Sequence, residues 1–230
     1  MVDLAGYDFE IKTYFSTNRA INPQCIAILP LEPKRKLQKF VIGNERTLEY
    51  WEYKKGEFVQ SYKSPEPLTN EISRVVISGS QDKAAVFLAI GSQIKGVTKR
   101  GKDFFKLDTS HTEQITSLHV LGTNLWSAGA FTLNCYASRN NAIADKYFFV
   151  CEDKINEMIV HHADLARTGT IEAYVILACN DATVKVIGDS GRLLYQATLD
   201  AAPTCITLLQ AHEDDQAAAG AAPTVILYGL

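Results

Sequence analysis

The chain has 230 residues and a mass of 25.4 kDa, with 47% hydrophobic and 21% charged residues, a formal net charge of -3 and an isoelectric point near 6.0. That length and apolar content suffice for one domain with a buried core. A mildly acidic protein attracts neither nucleic acid nor an anionic membrane by its overall charge, so either contact would need a local basic patch.

The five cysteines, Cys25, Cys135, Cys151, Cys179 and Cys205, form no C-x-x-C pair and mostly sit in apolar runs such as Thr204-Cys205-Ile206. They read as buried reduced thiols, because an unoxidised cysteine packs as a small hydrophobe. No N-x-S/T sequon occurs and no signal peptide opens the chain. No apolar run nears the roughly 18 residues of a spanning helix. These features lead us to expect a reducing compartment, the cytosol.

In chain order, Phe9 to Phe15 alternates apolar and polar as a strand does, and Cys25 to Pro30 follows as a short apolar run. Phe40 to Trp51 reads as strand, polar turn and return strand, closed by a Lys54-Lys55-Gly56 turn. Ile72 to Gly79 restarts the pattern, Val86 to Val97 repeats the hairpin, and Lys99-Arg100-Gly101 repeats the turn. Ile115 to Gly122 starts a third copy, which runs through Leu125 to Phe149 with an Asn140-Asn141 turn in place of the glycine. Ile155 to His162, Ile176 to Ile187 and Asp189-Ser190-Gly191 make a fourth. Cys205 to His212 opens a fifth, interrupted by the alanine-rich loop Glu213 to Pro223, and Thr224 to Tyr228 reads as its second strand.

The leading isoleucines are Ile26, Ile72, Ile115, Ile155 and Ile206, so the steps are 46, 43, 40 and 51 residues. Four strands per repeat at this period is the pattern of propeller blades, which stack because one sheet cannot bury both faces alone. An immunoglobulin-like sandwich has no reason to repeat so. The expectation is an all-β fold, a partial β-propeller of WD40-like four-stranded blades, with about four and a half blades present. Residues 1–230 form one such domain, with blades starting near 26, 72, 115, 155 and 206. The incomplete last blade and the strand at Phe9 to Phe15 lead us to expect an N-terminal portion of a larger ring, with open edges that recruit other strands.

Catalytic and cofactor motifs are not found. Gly96-Val-Thr-Lys-Arg-Gly101-Lys102-Asp103 nearly matches the P-loop, but Asp103 replaces the hydroxyl residue that binds magnesium. A P-loop also opens a helix, whereas this run lies in a hairpin. His161 and His162 are neighbours on a strand and point to opposite faces, and His111, His119 and His212 show no ligand spacing. Asn180-Asp181 and Glu213-Asp214-Asp215 are too short for a calcium loop. No catalytic, cofactor or metal residue is assigned. One feature stands out: Lys95, Lys99, Arg100 and Lys102 cluster on one hairpin, as a solvated turn or as a contact for an acidic partner or an anionic membrane face.

At Ile94-Lys-Gly-Val-Thr-Lys-Arg-Gly-Lys-Asp-Phe104, and again at Asp153-Lys-Ile-Asn-Glu-Met158, the chain resembles the N-terminal propeller of the Bardet–Biedl syndrome 7 family. The Lys-Arg-Gly-Lys hairpin followed by an aromatic is the more specific match. Val41-Ile-Gly43, Lys54-Lys-Gly-Glu57 and Thr112-Glu-Gln-Ile115 support it, in order along the chain. The resemblance implies a subunit of the BBSome, a coat-like complex that carries membrane proteins into and out of cilia. It implies a propeller joined to a coiled coil and further C-terminal domains, and sister subunits resembling the Bardet–Biedl syndrome 2 and 9 proteins as partners. An Arf-like GTPase and membrane cargo would be reached through the complex, in the cytoplasm, at the ciliary basal body, in the cilium and peripherally at the ciliary membrane. Stopping at Leu230 and carrying the Glu213 to Pro223 loop depart from the family pattern. Two rival readings are a propeller of another coat or intraflagellar-transport protein, and an enzymatic propeller with acids or histidines converging in its channel. Calorimetry with ATP and GTP in magnesium should show no saturable heat; micromolar binding abolished by Lys102→Ala would overturn the hairpin reading.

Overall fold

Apolar runs joined by tight turns close into antiparallel hairpins throughout the computed structural model of the chain, which describes residues 20–31, 38–79, 83–139, 142–165, 170–209 and 224–228. The strand expected at Phe9 to Phe15, the Asn140-Asn141 turn, His212 and the Glu213 to Pro223 loop lie outside the described residues. A 3-10 turn at Pro23–Cys25, capped by the Asn22 side chain, leads into β1 (Ile26–Ile28), β2 (Lys39–Asn44), β3 (Thr47–Lys54) and β4 (Glu57–Lys63). The second sheet holds β5 (Ile72–Ser78), β6 (Ala85–Ile90), β7 (Gln93–Thr98) and β8 (Asp103–Asp108). The third holds β9 (Ser117–Leu121), β10 (Asn124–Ala128), β11 (Thr132–Arg139) and β12 (Ala142–Val150). The fourth holds β13 (Ile155–Leu165), β14 (Thr170–Cys179), β15 (Thr183–Ile187) and β16 (Leu193–Thr198), and a fifth pairs β17 (Cys205–Leu209) with β18 (Thr224–Tyr228). Each four-stranded sheet runs in chain order from inner to outer strand, which is the blade of a β-propeller. Among the described residues no helix is long and apolar enough to cross a membrane.

The core lies between the sheets. Strand alternation sends successive side chains to opposite faces, and both faces are buried. In β6, Val86, Leu88 and Ile90 pack with Val41, Leu48 and Tyr50 of the first blade, while Phe87 and Ala89 pack with Leu118 and Leu125 of the third. In β14, Val175, Leu177 and Cys179 join Trp126 and Leu133, while Ile176 and Ala178 join Ile206 of the fifth sheet. Each inter-blade layer is therefore a small hydrophobic core, and each blade is stable only with its neighbours.

Two devices recur at the joints. The backbone N–H groups of Ile72, Ile115 and Ile155 donate to Glu45, Gly91 and Ala130, which lie in the second hairpin turn of the preceding blade. Farther out, Gly101 and Gly191 sit in the third turn at φ of +83° and +77°. A Cβ at Gly101 would meet the Tyr62 ring at 2.2 Å, and one at Gly191 the Tyr147 ring at 2.8 Å. These glycines supply both the left-handed turn and the room for a tyrosine from the outer strand of the previous blade.

Two expectations need correction. Ile26 does not match the other leading isoleucines: it is 46% exposed, and Cys25, 1% exposed, fills the buried place beside Ile72. The 3-10 turn shifts the chain by one position before β1 begins. Cys205 is exposed, whereas Cys25, Cys135, Cys151 and Cys179 are buried, because in β17 it is Ile206 that faces the core and its neighbour faces away. Ile155→Ala should lower the free energy of unfolding by about 2–5 kcal/mol in urea titrations, the range for truncating a buried aliphatic side chain. Ile26→Ala should stay within about 1 kcal/mol, as exposed substitutions do.

Candidate functional site

The inner strands β5, β9 and β13 place one residue each at the same point of the repeat. Arg74 pairs with Ala89, Ser117 with Ala128 and Glu157 with Ala178, each opposite a buried alanine of the second strand. These three converge on one carboxylate. Glu157 Oε1 accepts from Arg74 Nη2 at 3.0 Å and from Ser117 Oγ at 3.3 Å. Its Oε2 accepts from Gln24 Nε2 of the first blade at 2.7 Å, and the Met158 N–H donates to Oε1 at 3.3 Å. Side chains from four blades thus meet at Glu157, which is 8% exposed. A carboxylate whose lone pairs face four donors ties blades together and offers no site for accepting a substrate proton. The aligned segments carry the signal for this network: arginine, serine and glutamate stand two residues after successive leading isoleucines.

A second cluster lies farther along the same inner strands. His119 on β9 and His162 on β13 approach Nε2 to Nε2 at 3.1 Å, and both rings rest near Trp126, with centroids 5.8 and 5.7 Å away. One imidazole must donate and the other accept, so the accepting ring is neutral and the two cannot both be charged. Burial, then the neighbouring His162, pushes His119 down to about 4, and burial followed by His161 lowers His162. Among the described residues no group of three or more His, Cys, Asp or Glu is placed to hold a metal ion, and two nitrogens fall short of a zinc shell. The adjacency of His161 and His162 hides this pairing in the sequence, where the spacing that matters is 43 residues, about one blade period. His111 is likewise structural, with Nδ1 2.8 Å from Thr132 Oγ1 and Nε2 2.9 Å from Ser127 Oγ.

The basic hairpin joins β7 to β8. Lys95 lies on β7, Lys99 and Arg100 form the turn, and Lys102 precedes β8. Asp103 begins a strand where a P-loop would begin a helix. The turn is closed by Gly101 N–H to Thr98 O and Thr98 N–H to Lys102 O, both 2.8 Å. Two tyrosines of the first blade hold it from below: Tyr50 donates to Thr98 O at 3.0 Å and Tyr62 to Gly101 O at 3.2 Å. Lys95 is half-buried and bonded to Asp103 at 2.8 Å, which removes its charge from the cluster. Arg100 and Lys102 are exposed.

A family model described as the BBS7 beta-propeller matches residues 26–230. BBSome complex member BBS7 of Mus musculus is 29% identical over 184 residues, covering 79% of this chain and 24% of that protein. BBSome complex member bbs-7 of Caenorhabditis elegans is 22% identical over 220 residues, covering 95% and 29%. The chain therefore spans about a quarter of the length of these curated relatives. Among solved structures, a BBS1N chain crystallised in complex with ARL6DN superposes with a TM-score of 0.60 at 17% identity, covering 84% of this chain and 58% of that one. Sqt1 of Saccharomyces cerevisiae gives 0.57 at 13% identity, covering 80% and 52%. Identities this low speak to the shared fold alone.

The histidine pair makes stability depend on pH. Both folded-state values lie below the ordinary histidine value, so on acidification the unfolded chain takes up protons that the fold refuses. For His119 this stability is fully present above about pH 6.5 and is lost as pH falls toward 4, by up to about 1.4 kcal/mol per pH unit, and the lowered His162 acts in the same direction. Urea midpoints measured across this range should fall accordingly, and His119→Gln should flatten the profile. A pH-independent wild-type midpoint would count against the buried neutral pair.

Proposed function

The chain belongs to the BBS7 beta-propeller family, and on that premise we propose that it is a non-catalytic protein-interaction module of a BBSome subunit, serving the passage of membrane proteins into and out of cilia. The match across residues 26–230 is the observation that carries this reading. Neither a propeller of another coat nor an enzymatic propeller is favoured by it. The inner strands support the same view, since the buried carboxylate Glu157 is occupied by Arg74, Gln24 and Ser117, and the inner histidines by each other. Residues 1–230 act as one propeller unit in this reading, because apolar layers run without a break from the first sheet to the fifth.

The partners we propose are sister subunits resembling the Bardet–Biedl syndrome 2 and 9 proteins. Membrane cargo and an Arf-like GTPase would be reached indirectly, through the assembled complex; the structurally similar BBS1N was solved with ARL6DN. No nucleic acid and no cofactor enter the proposal. The location follows from the complex: cytoplasm, cilium, basal body and, peripherally, the ciliary membrane. Rigid blades joined by short surface turns suit such work, because they present contact residues without an ordering cost. Affinity purification of the full-length protein, with mass-spectrometric identification of what co-purifies, should recover those sister subunits. Recovery of intraflagellar-transport or other coat proteins in their place would overturn the assignment.

A further inference from the structure

We propose that the groove between the first and second blades, beside the basic hairpin, binds an extended acidic peptide segment of a partner protein that carries an aromatic or bulky aliphatic anchor. The inference rests on the reading of the chain as an interaction module and names the chemistry of one partner.

The groove has a volume of about 950 Å³ and runs along four consecutive residues of β8, from Asp103 to Lys106. Its far wall is the linker between the blades, with Pro65 and Pro67, and Tyr62 stands at the hairpin end. Both walls are fixed in the free protein. Leu68 donates its N–H to Arg46 O at 2.7 Å and accepts from Arg46 Nε at 2.6 Å, while Ser64 N–H reaches Leu48 O at 2.9 Å. Two tyrosines hold the hairpin from below. A groove already in its bound shape spares the partner the cost of ordering it.

An apolar anchor has a defined place. The register of β7 with β8 jumps between Gly96, paired with Phe105, and Val97, paired with Asp103, which leaves Phe104 as an extra, bulged residue. A bulge re-aims a side chain that strict alternation would send elsewhere. Phe104 and Phe105, though consecutive, both pack on Phe87, which faces the third blade, with each centroid 5.7 Å from it, and Phe104 also lines the groove. Gly96 leaves the space for this, since a Cβ there would meet Phe104 and Phe105 at 2.8 Å. Phe104 nevertheless stays 52% exposed, an aromatic held in place but not covered.

The charge selects the partner. Lys95 and Asp103 neutralise each other. Among the described residues Arg100 and Lys102 have no carboxylate within ion-pair distance, and Lys106 meets only Asp108, at 3.7 Å with both side chains mostly exposed. A pair so solvated contributes little and leaves Lys106 available. Against these three cations the groove lining offers one further acid, Glu66. Finally, among the described residues β8 bonds only to β7 within its sheet, so its outer edge can pair with an extended main chain alongside it.

The test uses the full-length protein and fluorescence anisotropy with a short fluorescein-labelled peptide alternating glutamate with phenylalanine. The same peptide with lysine for glutamate serves as control. The glutamate peptide should bind and the lysine peptide should not. Arg100→Glu with Lys102→Glu should weaken binding by about tenfold or more, as loss of paired interface charges does, and Phe104→Ala by a similar factor. Equal binding of both peptides, no binding of the glutamate peptide, or an unchanged affinity in the charge-reversed variant would overturn the proposal. So would loss of sedimentation with phosphatidylserine vesicles in that variant while peptide affinity is unchanged, which would make the hairpin a membrane contact. The charge-reversed side chains are exposed, so its melting temperature should match the wild type. Its co-purification with sister subunits, measured in parallel, separates failure of the groove from failure of the scaffold reading.

Discussion

The joint between neighbouring blades is the constraint on which the rest depends. A blade here has two apolar faces, and neither can remain in water. At the joints the leading isoleucines Ile72, Ile115 and Ile155 act twice: the side chain is buried, and the N–H group bonds the preceding blade at Glu45, Gly91 and Ala130. Burying such a side chain stabilises by about 1.5–3 kcal/mol. The backbone bond adds direction, since it fixes where the next sheet starts relative to the last hairpin turn. Tyrosines Tyr62 and Tyr147, lying against Gly101 and Gly191, fasten the same joints near the outer rim.

The inner ends of the blades carry polar groups that those joints bring together. Glu157 collects donors from three other blades, and His119 meets His162 one blade away. Buried polar atoms are costly unless satisfied, so these contacts favour one stacking arrangement over a slipped one, even though Arg74 Nη1 and His162 Nδ1 have no partner among the described residues. The inner strands are in this sense occupied by their own contacts. What is left for recognition is the outer part of the molecule, where turns and fourth strands meet solvent. In the groove proposed above, local irregularity matters: the bulge at Phe104 breaks the strict alternation of the strand.

Much was legible in the sequence because it is local. Alternating apolar runs, glycine turns near Gly56, Gly101 and Gly191, and a period near 45 residues each follow from the geometry of a few successive residues. Those signals determined the strands, their hairpin order and the propeller class, and the Lys-Arg-Gly-Lys hairpin pointed to the family that the comparisons then matched. The Lys99-Arg100-Gly101 hairpin was readable too, and a strand begins at Asp103.

Only the tertiary structure decided which residues at equivalent places are buried and which side chains meet. Ile26 and Cys205 look like core residues in one dimension and are exposed in three, because a 3-10 turn shifts the first and strand alternation turns the second outward. Gln24 and Glu157 are 133 residues apart, and Arg74 and Glu157 are 83 apart. Their meeting is set by how the sheets rotate and stack, a sum over many small inter-blade contacts that no window of sequence contains. Periodicity names the blade to which a residue belongs; the packing of one blade on the next decides what that residue touches.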